Sequence, residues 1–401
     1  MMRSIPRDFG LFVAGQSLSQ IGDQCYLLTL TWVVAQRTGS TAALGVMLAL
    51  AAIPRALLMP FGGALADRLS HRRVLLGANL LLAILLLPLV GLAVAGVSAL
   101  WPYAVIAVVV GAVEGVLTPA AYSLVPLLVP GEALERANAI FLGSVLLSGI
   151  VGPALGGVLL AHSDAALAFA IDSASFLAVA GLLWLMRATP VRLAQRVSLL
   201  ADLRATATLV RADRVLALYI ALLLLGNLAA AGPLDVGLVA MAQGVFHGGP
   251  ELLGSAMAIF AGGSLVGTLL AGALARPAWR QPLLFGGILG TGMALAVVGT
   301  SPSAPIFLAL LALFGGGIGA IDVLMQSSIQ QRAPRAQLGR VLGVTLCAGK
   351  LLAPLSTLVA GVAAQSHAPQ LFFAAGALWV ATTIIALVVS RESLVDAPAT
   401  P

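Results

Sequence analysis

The chain has 401 residues, of which 60% are hydrophobic and 9% charged, and its mean hydropathy is +1.06. Soluble domains carry roughly 25% charged residues, so this chain has too little polar surface to face water, and its solvent is a bilayer. The formal net charge of +6 does not mark a nucleic-acid binder, because the basic residues sort by loop and form no patch interleaved with aromatics.

Apolar runs of about 20 residues, broken by charges or Pro/Gly clusters, mark membrane spans. In chain order they fall at 9–35, 41–65, 74–96, 102–126, 137–161 and 166–186, then at 216–242, 252–275, 282–300, 304–328, 339–364 and 369–389. The expectation is an all-α membrane protein of twelve transmembrane helices, arranged as two six-helix bundles over 1–186 and 216–401. The segment 187–215 carries Arg187, Arg192, Arg196, Arg204, Arg211 and Arg214 against Asp202 and Asp213. It reads as a solvated basic connector, and residues 197–211 have the composition of a helix lying on the membrane surface.

The first apolar segment is of full length and contains Gln16, Gln20, Asp23 and Gln24, so it reads as a span and not as a cleavable signal. Cys25 and Cys347 both fall inside spans and read as small buried hydrophobes without a disulfide. No Cys/His cluster has metal-ligand spacing and no phosphate-binding glycine loop occurs, which argues against a metal, a cofactor and an ATP-driven pump. No His-rich or Ser/His/Asp set suggests an enzyme.

Orientation follows from the arginines. With the N-terminus in the cytoplasm, Arg3, Arg7, Arg68, Arg72, Arg73 and Arg136, the connector arginines, and Arg276, Arg280, Arg332, Arg335, Arg340 and Arg391 all face inward. Arg37 alone falls in an outward loop, while Arg55 and Lys350 lie inside spans. An even number of spans puts the C-terminus in the cytoplasm as well.

The halves echo each other. Pro130-x3-Leu134-x-Arg136 matches Pro334-x3-Leu338-x-Arg340, Gly152-Pro153 matches Ala353-Pro354, and Gly63-Ala-Leu-Ala66 matches Gly272-Ala-Leu-Ala275. Three matches in register point to a duplicated six-helix unit, a common plan among secondary transporters.

Between the second and third spans stands Gly63-Ala-Leu-Ala-Asp67-Arg68-Leu-Ser-His-Arg72-Arg73. It resembles the loop signature of the major facilitator superfamily, with Ser70 where the family has Gly and His71 where it has Arg or Lys. In span five, Gly152-Pro153-Ala-Leu-Gly156-Gly157 resembles the kink motif of the superfamily's exporters. A proline there removes a backbone donor and the glycines permit close helix approach; a packing kink with no bearing on direction stays open. Gln20-Ile-Gly22-Asp23, Thr38-Gly39-Ser40, Pro54-Arg55, Pro130-Gly-Glu132, Asn138 and Ile171-Asp172-Ser-Ala-Ser-Phe176 resemble the bacterial drug and siderophore exporters, such as macrolide-efflux and enterobactin-exporter proteins.

That resemblance implies a monomeric, proton-coupled antiporter of the bacterial inner membrane that exports amphiphilic small molecules. Asp67 and its arginine neighbours would hold an inner gate. Spans one, four, seven and ten would line the cavity, so Asp23, Glu114 and Asp322 would face it as proton-coupling carboxylates. A charge at mid-bilayer costs at least ~2.5–3.5 kcal/mol, so each of these needs a wet or protein-lined setting. Arg55 should pair with a carboxylate, and Lys350 with Asp322, either as a structural pair or in coupling. Asp172 reads as a hydrogen-bonding group near the outer end of span six, and Asp235 as lining a break after Pro233. An importer, a lipid flippase, a membrane sensor or assembly factor, and sodium in place of the proton remain open on the sequence.

Overall fold

The computed structural model describes residues 6–187, 208, 210, 213–274, 280–332, 341, 345 and 348–395. Among these the regular elements are helical: α1 (Arg7–Thr38), α2 (Thr41–Leu69), α3 (His71–Val94), α4 (Trp101–Leu128), α5 (Leu134–His162), α6 (Ala165–Leu185), α7 (Arg214–Val245), α8 (Pro250–Leu274), α9 (Arg280–Val298), α10 (Ala304–Arg332) and α11 (Ala353–Val395). Helices satisfy their own backbone hydrogen bonds, the requirement that hydrocarbon imposes. Among the described residues ten helices are long and apolar enough to cross a membrane. The 32-residue α1, diluted by its glutamines and Asp23, is not one of them. Most of the connector and part of the expected eleventh span lie outside the described residues.

Side chains cap several helix starts, where backbone N–H groups lack an intrahelical acceptor. Ser40 Oγ accepts from Ala43 N for α2, Asp164 Oδ1 from Leu167 N for α6, and Asp213 Oδ1 from Val215 N and Leu216 N for α7.

The expected loop over 66–73 is largely absent. Helix α2 runs through Leu69, α3 starts at His71, and Ser70 is the single non-helical residue between them. It makes the corner with φ 85° and ψ 128°, a conformation that favours glycine because a Cβ crowds the backbone there. The family glycine that the sequence lacks at this position thus has its geometry without its residue.

The chain folds into two compact units, Met1–Gln195 with His247–Ala258, and Arg196–Phe246 with Ile259–Pro401. In the first, α2 packs on α4, α3 on α6, and α1 on α5 and α6; in the second, α7 and α9 pack on α11, and α9 on α10. Glycines set the closest approaches. A Cβ at Gly111 of α4 would strike the Ala51 carbonyl of α2, and one at Gly115 would lie 2.6 Å from the Arg55 carbonyl oxygen. In the second unit, Cβ atoms at Gly315 and Gly319 of α10 would strike the carbonyls of Phe260 and Ser264 of α8. Both units therefore use a pair of glycines one turn apart against carbonyls one turn apart, the same device at matching places in the two halves.

Helix α7 is irregular. Its α-helical part ends at Gly232, and two π-helical stretches follow, Pro233–Gly237 and Met241–Val245. Pro233 supplies no backbone donor to the preceding turn. Ser356 of α11 stitches the break, donating from Oγ to Leu228 O at 2.6 Å and accepting from Gly232 N at 2.7 Å. Helix α11 itself breaks at His367 (φ −153°, ψ 76°), two residues before Pro369.

Replacing Ser70 with Gly should stabilise the protein. Relief of backbone strain is worth about 1–3 kcal/mol, offset by about 0.4–1 kcal/mol of extra unfolded-state freedom, and the melting temperature of the purified protein should rise; an unchanged or lower value would contradict the strained corner. Replacing Gly267 with Val should do the reverse. A Cβ there meets the Gly316 carbonyl across the α8–α10 contact, so about 1–3 kcal/mol should be lost, visible as a lower thermal midpoint.

Candidate functional site

In the first unit, charged side chains from α1, α2, α4 and α6 form one cluster. Arg55, midway along α2, reaches Glu114, midway along α4, with Nη1 2.9 Å from Oε2. The glycine contact beside them explains the pairing. Gly115 packs against the backbone of Arg55, its Cβ position 3.0 Å from the Arg55 Cα, so the two helices touch where they carry opposite charges. The pair is unequally covered, with 49% of the Arg55 side chain exposed against 16% of Glu114. Its worth falls between that of exposed pairs, ~0.2–1 kcal/mol, and that of buried pairs, where losing one partner costs ~3–5 kcal/mol. The expected carboxylate partner of Arg55 is thus Glu114.

Asp23 sits part-buried at the middle of α1 and interacts electrostatically with Asp172, Glu114 and Arg55. Tyr26, one turn along and buried, has Glu114, Asp172 and Asp23 as its charged neighbours. Asp172 differs from its sequence expectation. Asp164 provides the helix-end hydrogen bond of α6, whereas Asp172 stands two turns inside, 1% exposed, with its carboxyl over Gly22 of α1. Three carboxylates and one guanidinium therefore share one cluster, of which Asp172 is the buried member. Sequence reading passed over Asp172 as part of the site; the signal present was Gly22, adjoining Asp23, and the small residues Ser173, Ala174 and Ser175 around the acid.

The kink motif is a packing surface. Pro153 lies inside α5. A Cβ at Gly152 would lie 2.6 Å from the Gln24 Cβ, and one at Gly156 would lie 3.1 Å from the Cys25 Cα, both on α1. Gly157 faces elsewhere, its Cβ position 2.8 Å from Pro250 O and 3.0 Å from the Gly254 Cα at the start of α8. Cys25 Sγ donates to the Gly152 carbonyl at 3.2 Å, so the thiol is engaged and buried.

At the α2–α3 corner, Arg68 and Arg73 are exposed, while Arg72 crosses to the end of α6. Its Nε donates to Leu183 O at 2.7 Å and its Nη2 to Trp184 O at 2.5 Å, a cation on the free carbonyls of a helix C-terminus. The surroundings of Gly63, the side chain of Asp67 and the start of the expected eleventh span lie outside the described residues. Arg37, the one basic residue expected in an outward loop, donates from Nη1 to Val97 O and, at 2.9 Å, to Tyr103 Oη, and its guanidinium lies 5.4 Å from the Tyr103 ring centroid.

The second unit is charged differently. Asp322 of α10 and Lys350 are both exposed, and Asp322 lies in the electrostatic field of Lys350. Asp235 falls in the first π-helical stretch of α7. In the glycine register that relates the halves, Ser264 takes the place of Arg55 and Ile318 that of Glu114. The Arg55–Glu114 pair thus has no counterpart at this register of the second unit, whose Arg332 Nη1 lies instead 3.7 Å from Asp213 Oδ1.

Comparison with known proteins agrees with this architecture. The Multidrug efflux pump Tap of Mycobacterium tuberculosis (strain ATCC 25618 / H37Rv) is 27% identical over 94% of this chain and 92% of its own. Macrolide efflux protein A of Streptococcus pyogenes is 24% identical over 88% of each chain. A crystal structure of a mutant of nucleoside transporter NupG shares the fold, with a TM-score of 0.76 at 13% identity, covering 95% of this chain and 99% of that one. The family model of the Major Facilitator Superfamily matches residues 12–357, and the chain belongs to that family.

Proposed function

We propose that this major facilitator transporter exports amphiphilic small molecules across the bacterial cytoplasmic membrane in exchange for protons. It does so as a monomer of twelve spans with both termini cytoplasmic. Two bundles, 1–186 and 216–401, joined by the basic connector 187–215, rock against each other to alternate access. Two relatives named as efflux proteins, similar over most of the chain, support export; the kink residues Gly152, Pro153, Gly156 and Gly157 would set the packing of α5 in that exporter. Asp67, with Arg68, Arg72 and Arg73, forms the inner gate.

The observation that carries proton coupling is the excess of carboxylates over cations in the cluster of Asp23, Arg55, Glu114 and Asp172, where Arg55 takes Glu114 and leaves Asp23 and Asp172 without a guanidinium of their own among the described residues. Low-dielectric surroundings disfavour an unpaired charge, so such a group exchanges either a proton or a cation. Glu114, Asp23 and, in the second unit, Asp322 are the proposed exchange sites. A proton and a bound cationic substrate compete for them, which links loading of one to release of the other. Moving one net charge through 100 mV is worth ~2.3 kcal/mol, a concentration ratio of roughly 50. A monovalent cation exchanged for one proton moves no net charge, and the pH gradient alone then drives it.

Cells producing the protein should accumulate less ethidium than control cells, and a protonophore should restore accumulation. Unchanged efflux after collapse of both proton and sodium gradients would exclude secondary transport, and increased uptake would make the protein an importer. In proteoliposomes, Glu114→Gln should bind ethidium and exchange it, yet drive export under a pH gradient at least about tenfold more slowly, about 1.4 kcal/mol in the rate. It should also melt lower, because Arg55 loses its counter-charge. Native proton-driven export by this variant would remove Glu114 from the coupling set.

A further inference from the structure

Asp172 is the acid in the body of α6, and it is 1% exposed. Its Oδ1 occupies the place into which a Cβ on Gly22 would project, and Ser175 Oγ stands 2.6 Å from that same position. Gly22 therefore opens a notch in α1 that receives the α6 carboxyl, one residue before Asp23.

Little inside the notch supports a negative charge. Ser175 Oγ lies 3.3 Å from the carboxyl Oδ1 and 2.8 Å from the Asp172 carbonyl oxygen. A hydroxyl has one proton to give, and the shorter contact is to the carbonyl. The titratable neighbours are Asp23, Cys25 and Tyr26 from α1 and Glu114 from α4. Helices α3 and α5, also packed on α6, add no charged group to the electrostatic surroundings of Asp172 among the described residues. Arg55 of α2, the cation of the cluster, is held by Glu114. A bare carboxylate in such a place lacks both a counter-ion and a full set of donors, whereas the neutral acid brings its own donor.

We propose that Asp172 is a proton-holding acid of the transport cycle, which exchanges its proton with Asp23 past the notch at Gly22. The step converts Asp172–COOH and Asp23–COO⁻ into Asp172–COO⁻ and Asp23–COOH. One O–H bond breaks, one forms, and the net charge is unchanged. This inference rests on the proton-coupled reading and deepens it. A shielded acid keeps a proton inside the protein while Asp23 is engaged by a cationic substrate, and returns it when the substrate leaves.

Infrared spectroscopy of the purified full chain near neutral pH tests the idea without requiring transport. The wild type should show the carbonyl stretch of a protonated carboxylic acid, Asp172→Asn should lose that component, and Asp23→Asn should retain it. Ser175→Ala keeps the acid and removes only its hydroxyl neighbour, so the band should stay and move in frequency; this arm holds even if Asp172→Asn fails to fold. An unchanged band in Asp172→Asn, a band lost in Asp23→Asn, or an unmoved band in Ser175→Ala would overturn the proposal. In proteoliposomes, Asp172→Asn should exchange ethidium but lose about tenfold or more of export under an imposed pH gradient, and export at the native rate would also overturn it. A wild type that exports nothing under the gradient would instead refute proton coupling, and would leave the infrared result standing by itself.

Discussion

Between helices in hydrocarbon no hydrophobic force operates, because lipid tails are as apolar as leucine. What remains is close van der Waals approach and a small number of polar contacts. The structure is organised around that constraint. Gly111 and Gly115 bring α4 onto α2, Gly315 and Gly319 bring α10 onto α8, and Gly152 and Gly156 bring α5 onto α1. Each contact puts backbone against backbone, and the functional side chains stand where these contacts place them. Arg55 and Glu114 meet because Gly115 removes the side chain that would hold their helices apart. The carboxyl of Asp172 reaches the interior because Gly22 does the same for α1 and α6.

The two units share this scaffold and differ in what they hang on it. Matching glycine contacts carry an ion pair in the first unit and Ser264 with Ile318 in the second. The second unit instead holds Asp322 within the field of Lys350 and has a helix, α7, interrupted by two π-helical stretches. A duplicated scaffold with unlike chemistry divides the labour, with a cluster of three carboxylates and one guanidinium in one half and backbone irregularity in the other.

The span pattern was legible because hydrocarbon thickness imposes a length and a composition together. Ten of the expected segments appear as helices of the right length and apolarity. Charge pairing was partly legible, since a lone Arg55 in a span requires a partner, but no periodicity pointed to Glu114. Helices that are apolar on every side display no face, so contacts between spans leave little trace in sequence. Asp172 illustrates the loss. Its position two turns into α6 suggested a helix end, and only the packing of α6 on α1 reveals that it points at Gly22. The α2–α3 corner was hidden for another reason. Charged residues suggested a loop, yet Asp67 and Arg68 belong to α2 and Arg72 and Arg73 to α3, and a single residue of unusual φ makes the turn.

The π-helical stretches of α7 have a consequence for how this chain can vary in length. Removing one residue from an α-helix rotates everything beyond it by about 100°, which would swing every later side chain of a span away from its neighbour. A π turn already contains a residue beyond the α-helical count. Deleting one within Pro233–Gly237 closes the turn to α-helical geometry and leaves the residues on either side in register. Helix α7 thus carries slack of one residue in each stretch, and gaps between related sequences can settle there while Gly232 keeps its seat against Ser356.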